Sequence, residues 1–415
     1  MTGARVGRER EIVQPTKGGS RNPLLKKIAI LAVAAFWLFE ASFLPGAAEA
    51  APHTRKPSRQ APKPLLRVSL RQSRIGKTSK TTSTRLRRRG RRRNPWRVSS
   101  FGEPTSGDNP AGEDPAVRES AVAALGNWNG SVVVVDPNNG RILSIVNQPL
   151  ALGSAFTPCS TFKPVVALAA LKEGLITPET ELRVGRRRRM NLTDALAHSN
   201  NPFFSRLGRE LGFRRLAEYA RAFGFGQKAG WNIPGESPGR FPAEPPQDGS
   251  VAFMSSYGKN IEVTALQMAA VISAIANGGT LYHLQYPRTP EETSQFQPKV
   301  RRRLESLADY FPQIKEGLAA AVIYGTARLA YDPEEQIFGK TGTCSEDGAR
   351  LGWFVSYANE QQPKYVVVVL LRGGRLMYGP HAAEIAGRVY RDLRQRESNA
   401  AEATKLNLPL GQSQP

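Results

Sequence analysis

Apolar residues along the chain follow more than one period, and the changes of period mark its elements. Four consecutive valines, Val132-Val133-Val134-Val135, precede Asp136-Pro137-Asn138-Asn139-Gly140, and Arg141 to Val146 is again rich in apolar residues. The pattern predicts strand, turn and strand. From Thr161 to Glu173 apolar positions recur at helical spacing until Gly174, so a helix is expected there. Roughly 190–330 reads as mostly helical, with Gly/Pro-rich loops at 224–249 and 277–300. Strands return at Gln336–Thr343, Leu351–Ala358 and Lys364–Leu371, followed by a helix from His381 to about Leu393. Strands at both ends of a helical middle predict an α/β (α+β) fold: one antiparallel sheet flanked by helices, with an inserted all-helical lobe. No internal repeat is evident.

Upstream of residue 121 this patterning fades, and charge takes over. The 415-residue chain carries a formal charge of +23. Residues 51–100 hold 17 Lys/Arg and no Asp or Glu, and residues 1–27 hold 7 Lys/Arg against 2 Glu. The remainder from 101 to 415 is close to neutral, with 34 Lys/Arg and 31 Asp/Glu. The basicity therefore belongs to the N-terminal part and not to a globular surface. Between the two basic stretches, an apolar run from Ile28 to Phe39 follows Lys26-Lys27 and leads to Pro45-Gly46 and Ala48-Glu49-Ala50. That order is the one of a secretory signal cleaved after Ala50, with a membrane anchor over 28–48 as the alternative. The expected organisation is a basic N-terminal region (1–27), a signal or signal anchor (28–50), a basic disordered linker (51–120), a catalytic domain (121–396) and a disordered tail (397–415). A linker of this composition buries too little apolar surface to offset its ordering entropy. Its Arg87–Arg93 cluster suits a membrane surface or an anionic wall polymer; export makes nucleic acid the least expected partner. The exported protein is expected in the periplasm or another extracytoplasmic space.

Three short motifs carry candidate chemistry. Ser160-Thr161-Phe162-Lys163 begins the first predicted helix, and a spacing of three puts hydroxyl and amine about a turn apart. A serine hydroxyl needs an adjacent base, and a lysine with lowered proton affinity can serve. Ser199-Asn200-Asn201 follows a helical stretch and would alone be read as an ordinary helix cap. Lys340-Thr341-Gly342-Thr343 lies in a strand, where cation and hydroxyl suit a carboxylate and glycine permits close approach. His53, His198, His283 and His381 show no metal-ligand spacing, and no cofactor is expected. Arg186–Arg189 reads as a solvated loop.

In this order the three motifs resemble the Ser-x-x-Lys, Ser-x-Asn and Lys-Thr-Gly set of the penicillin-binding protein transpeptidases, within the serine β-lactamase and D,D-peptidase superfamily. The resemblance spans about 120–395. It extends to Gly224-Phe225-Gly226 through Pro234-Gly235-Glu236, to Tyr257-Gly258 through Gln267 and Asn277-Gly278-Gly279, and to Gly325-Thr326-Ala327. It implies that Ser160 attacks a peptidoglycan stem peptide ending in D-Ala-D-Ala and that Lys163 takes its proton. Ser199 would relay a proton to the departing D-Ala, and Asn201 would hold the substrate amide and orient Lys163. Lys340 and Thr341 would bind the terminal carboxylate, with Gly342 in the same strand, and the N–H groups of Ser160 and Thr343 would form an oxyanion hole. β-Lactams would acylate Ser160 as substrate mimics.

The cysteines depart from the family pattern, since Cys159 stands where glycine is usual. If Ser160 and Thr343 point at one oxyanion, their neighbours Cys159 and Cys344 must lie close. A disulfide between them is expected, similar to a bridge in some class A carbapenemases, with two free core thiols as the alternative. The resemblance leaves transpeptidase and carboxypeptidase open. The Ser-Thr-Phe-Lys form is shared with class D β-lactamases, which makes β-lactam hydrolysis an alternative function; Asn201 speaks against it, because those enzymes typically carry valine there. Glu236 is read as part of a turn and not as a hydrolytic base. A non-catalytic β-lactam sensor or scaffold is the remaining alternative.

Overall fold

The computed structural model describes residues 96–247 and 250–406. The expected signal or anchor, the arm up to residue 95 and the chain end after 406 lie outside the described residues. In chain order the elements are α1 (Pro115–Leu125), β1 (Gly130–Val135), β2 (Ile142–Val146), α2 (Lys163–Lys172), β3 (Leu182–Arg183), β4 (Arg189–Met190), α3 (Leu192–Ala197) and α4 (Asn201–Ala222). They continue with α5 (Val251–Tyr257), α6 (Ala265–Ala276), β5 (Thr280–His283), α7 (Pro290–Ser294), β6 (Lys299–Arg303) and α8 (Phe311–Ile323). The last four are β7 (Ile337–Glu346), β8 (Ala349–Ala358), β9 (Val366–Gly373) and α9 (Gly379–Leu406). Among the described residues, no helix is long and apolar enough to cross a membrane.

Five strands form one antiparallel sheet in the order β2–β1–β9–β8–β7. The two ends of the fold meet in it, with Val133 opposite Val368 and Val132 opposite Val369. Side chains alternate across a strand, so Val133, Val135, Val368 and Leu370 enter one core with α2 and α6. Val132, Val134, Val367 and Val369 enter the other with α1 and α9. Both faces are covered, which is why β1 is buried at every position and reads as unbroken valine. Helix α2 is buried on all sides from Lys163 to Leu171 and forms the floor of the catalytic face.

Three sequence expectations need correction. The ordered fold starts well before 121: α1 opens at Pro115, Arg97 N donates to Gly348 O at 2.8 Å, and Phe101 stacks on Trp128. What holds this segment is polar. Arg118 pairs with Asp108 at 2.7 Å and with Glu113, both nearly fully buried carboxylates, and Glu113 also accepts from Ser144, Ile145 N, Gln148 and Tyr286. No apolar period announces such a network. Helix α9 likewise overruns 396, its exposed last turns braced by Arg396 on Glu119 and Asp392 and by Glu397 on Lys364. Finally, the inserted lobe is not all-helical. It carries two two-stranded ladders, β3–β4 and β5–β6, the second built from segments that read as loop.

Candidate active site

Ser160 sits in a 3-10 turn, Cys159–Phe162, that runs directly into α2. The first N–H groups of such a turn have no partner within it and face outward. Cys159 enters the turn with φ +53°, the left-handed region where glycine is at ease and other residues are strained. Ser199 adopts φ +53° as well. Two strained residues thus flank the catalytic face.

Lys163, one helical turn after Ser160, is fully buried. Its Nζ donates to Ser199 O and to Asn201 Oδ1, both at 2.7 Å, lies 3.0 Å from Ser199 Oγ, and stands 5.3 Å from the Phe204 ring centre. Burial, and then the charge of Lys340, hold its proton affinity well below that of an ordinary lysine. The Ser199-Asn200-Asn201 segment fills two roles at once. Asn200 caps α4, its side chain accepting from Phe203 N at 2.9 Å, and this fixes Ser199 and Asn201 around the lysine.

Strand β7 closes the third side. A Cβ at Gly342 would come within 3.0 Å of Pro158 O and 3.1 Å of Thr161 Cγ2, so a larger residue would press the strand away from the Ser160 turn. Lys340 is fully buried, donates to Thr341 O at 3.1 Å, and is pushed by burial to a pKa of about 7. Thr341 Oγ1 is 2.6 Å from Thr326 Oγ1, while Thr326 N donates to Ala197 O at 3.0 Å, tying β7 to the end of α3 just ahead of Ser199. Thr343 Oγ1 accepts from Gly379 N at 2.8 Å, where α9 begins. A disulfide joins Cys159 to Cys344, with Cα atoms 5.7 Å apart. It brings the residues next to Ser160 and Thr343 together. The bridge has company: Glu346 accepts from Thr157 N and Thr157 Oγ1, and Trp353 Nε1 donates to Thr157 O at 3.0 Å.

The three motifs therefore converge on one cleft holding an accessible hydroxyl, a buried amine with lowered proton affinity and a strand bearing a second buried cation. Sequence reasoning assigned no role to several residues that complete it. Ser160 Oγ lies 3.5 Å from Ser256 O, on the short helix α5 that Gly258 caps at its C-terminal end. Thr326, Glu346 and Trp353 fix β7. Of these, only Gly258 and Thr326 fell in segments already singled out by resemblance. Glu236 is buried elsewhere, its carboxylate accepting from Ala229 N and Gly230 N. Arg186–Arg189 forms the exposed tip of the β3–β4 hairpin. His198, His283 and His381 pack against Tyr324, Trp231 and Trp128 in separate places.

The family described as penicillin binding protein transpeptidase domain matches residues 130–393. Stage V sporulation protein D of Bacillus subtilis is 30% identical over 315 residues, 63% of this chain and 48% of that protein. Peptidoglycan D,D-transpeptidase FtsI of Escherichia coli is 25% identical over 310 residues, 65% of this chain and 52% of that one. The chain thus spans about half the length of the curated relatives it matches. In fold it is similar to the transpeptidase domain of penicillin-binding protein 3 from Burkholderia pseudomallei, with a TM-score of 0.61 over 74% of this chain and 98% of that one, at 21% identity. The D,D-transpeptidase domain of a peptidoglycan glycosyltransferase from Eggerthella lenta gives 0.57 over 68% of this chain and 82% of that one, at 22% identity.

Proposed function

The chain belongs to the penicillin-binding protein transpeptidase family, and from that premise we propose that it is a D,D-transpeptidase or D,D-carboxypeptidase of peptidoglycan, acting outside the cytoplasm through an acyl-enzyme on Ser160. One observation carries the reading: the bonding of the buried Lys163 amine. Ser199 O, Asn201 Oδ1 and Ser199 Oγ all lie within hydrogen-bond reach of Nζ, while burial and then the charge of Lys340 favour loss of its proton. Once neutral, the amine can keep its N–H groups on Ser199 O and Asn201 Oδ1 and turn its lone pair to a hydroxyl proton. A neutral base at this place is what serine activation requires.

In this mechanism Ser160 Oγ attacks the carbonyl of the penultimate D-Ala as its proton passes to Lys163 Nζ. The oxyanion is held by the N–H groups of Ser160 and Thr343. The C–N bond then breaks, and the proton returns through Ser199 Oγ to the departing D-Ala amine. That leaves an ester on Ser160. An acceptor amine, or water, attacks the ester and loses a proton by the same route, and Ser160 Oγ is restored. Lys340 and Thr341 hold the terminal carboxylate of the donor peptide. Glu236, whose carboxylate is committed to backbone N–H groups, offers no base for rapid hydrolysis, which favours acyl transfer over β-lactam turnover.

The test is labelling with a fluorescent penicillin, followed by exchange of a labelled D-amino acid into a D-Ala-D-Ala pentapeptide. Wild type should form a stable adduct and catalyse exchange or release of D-Ala, and Ser160→Ala should do neither. An adduct of equal yield on Ser160→Ala, or many turnovers of nitrocefin per second, would overturn the reading.

A further inference from the structure

A groove of about 1030 Å³ opens between the 231–235 loop, the turn after β2 and the chain from 285 to 299. Ile142 N donates to Gln285 O, so this chain lies beyond β2, at the opposite edge of the sheet from β7. No residue of the cleft lines it.

We propose that the groove binds a glycan strand of peptidoglycan, with a sugar ring on Trp231 and its hydroxyl and carboxylate groups on Asn232 and Lys299.

The wall chemistry points to such a ligand. Trp231 is 46% exposed although it stands on a rigid support. Its loop is pinned by the buried Glu236 carboxylate on Ala229 N and Gly230 N, and Trp231 N donates to Leu284 O at 2.8 Å. Asn232, at the tip, is held at φ +53°. A fixed loop that offers a large aromatic ring to water is arranged for a partner with an apolar face. Sugar rings have one, and their hydroxyl groups suit the amides around the groove, Asn232, Gln295 and Gln297 among them. Charge supplies the rest. Lys299 Nζ lies 4.8 Å from the Trp231 ring centre and Arg288 Cζ lies 3.9 Å from that of Tyr286. The one carboxylate in the lining, Glu292, accepts from Arg288 N. The groove is therefore cationic as well as aromatic, and suits a glycan bearing carboxylates. Which glycan it is rests on the transpeptidase reading, since an enzyme that joins stem peptides must sit on the strands that carry them.

The experiment titrates the full chain with peptide-free glycan strands, whose lactyl carboxylates are exposed, at raised salt to screen the basic arm. The readout is the fluorescence that Trp231 contributes, taken by difference from Trp231→Ala. Strands held only on the arm leave that signal unchanged. The expected result is quenching in wild type, affinity at least fivefold weaker in Lys299→Gln, and binding by a pull-down at least fivefold weaker in Trp231→Ala. Fluorescent penicillin should label all three proteins alike, which shows that the variants fold. Strands that leave the Trp231 signal unmoved, or variants that bind as tightly as wild type, overturn the groove. Quenching without penicillin labelling would instead sink the catalytic reading and leave the groove standing.

Discussion

The charge of Lys340 lowers the proton affinity of Lys163, and both amines are fully buried. Within the proposed mechanism the two have opposite needs. Lys163 must be neutral to accept the Ser160 proton, whereas Lys340 must be charged to hold a carboxylate. Burial brings Lys340 to about 7, so in the free enzyme it loses its charge as pH rises through that value. The kcat/KM for a peptide ending in a free carboxylate should fall above neutrality. For the same peptide ending in a carboxamide it should not. Two pH profiles, run side by side, check this; parallel declines would show that Lys340 does not read the carboxylate.

The same burial makes Lys340 a cost to the fold. Its folded pKa of about 7 lies below the ordinary 10.5, so the unfolded chain binds the extra proton between those values. Stability therefore rises with pH from about 7 to 10.5, and the full penalty is felt below 7. Lys340→Met should be more stable than wild type at neutral pH, by an amount of order a few kcal/mol, with the gain shrinking toward pH 10. Its carboxylate-dependent activity should be lost. Denaturant unfolding of the two proteins at pH 6.5 and pH 10 measures the difference. A variant less stable at pH 6.5 would refute the claim.

What the chain revealed by itself follows from how each feature is encoded. The valine runs of β1 and β9 show through because both sheet faces are covered, and the three motifs show through because serine, lysine and asparagine carry their chemistry in their side chains. Ser256 was invisible for the opposite reason: what it brings to Ser160 is a backbone carbonyl, which any residue has. Residues 96–114 looked like linker because they are fastened by the buried carboxylates of Asp108 and Glu113, not by an apolar stripe. The β5–β6 ladder was hidden because β6, Lys-Val-Arg-Arg-Arg, is a largely exposed edge whose composition resembles a loop.

The Cys159–Cys344 bridge spans 185 positions and fastens the residue before Ser160 to the residue after Thr343. Cys344→Ser should cost about 2–5 kcal/mol of stability, as loss of a long-range disulfide commonly does. It should also slow acylation by penicillin roughly tenfold, less than the ~100-fold typical of a lost oxyanion donor, because Glu346 and Trp353 still hold Thr157. Mild reductant should slow wild type to the same rate and leave Cys344→Ser unaffected. If wild type acylates equally fast with and without reductant, once thiol mapping has confirmed reduction, the bridge has no part in the site's geometry.

Gly258 presses on the nucleophile turn from the other side. It ends α5 at φ +70°, and a Cβ there would lie 2.7 Å from Pro158 Cγ and 3.0 Å from Cys159 O. Gly258→Ala should therefore do two things: add the strain of an alanine in the left-handed region, about 1 kcal/mol, and push the Ser160 turn away from Ser256. Gly278 separates these effects. It has φ +80° and nothing within 4 Å of an added Cβ, so Gly278→Ala meets the strain without the collision. Both variants should lose stability in chemical denaturation, Gly258→Ala more, and only Gly258→Ala should acylate more slowly, by about tenfold or more. Equal acylation rates in the two variants would mean that the turn tolerates displacement, and that Ser160 is positioned from α2 and β7 alone.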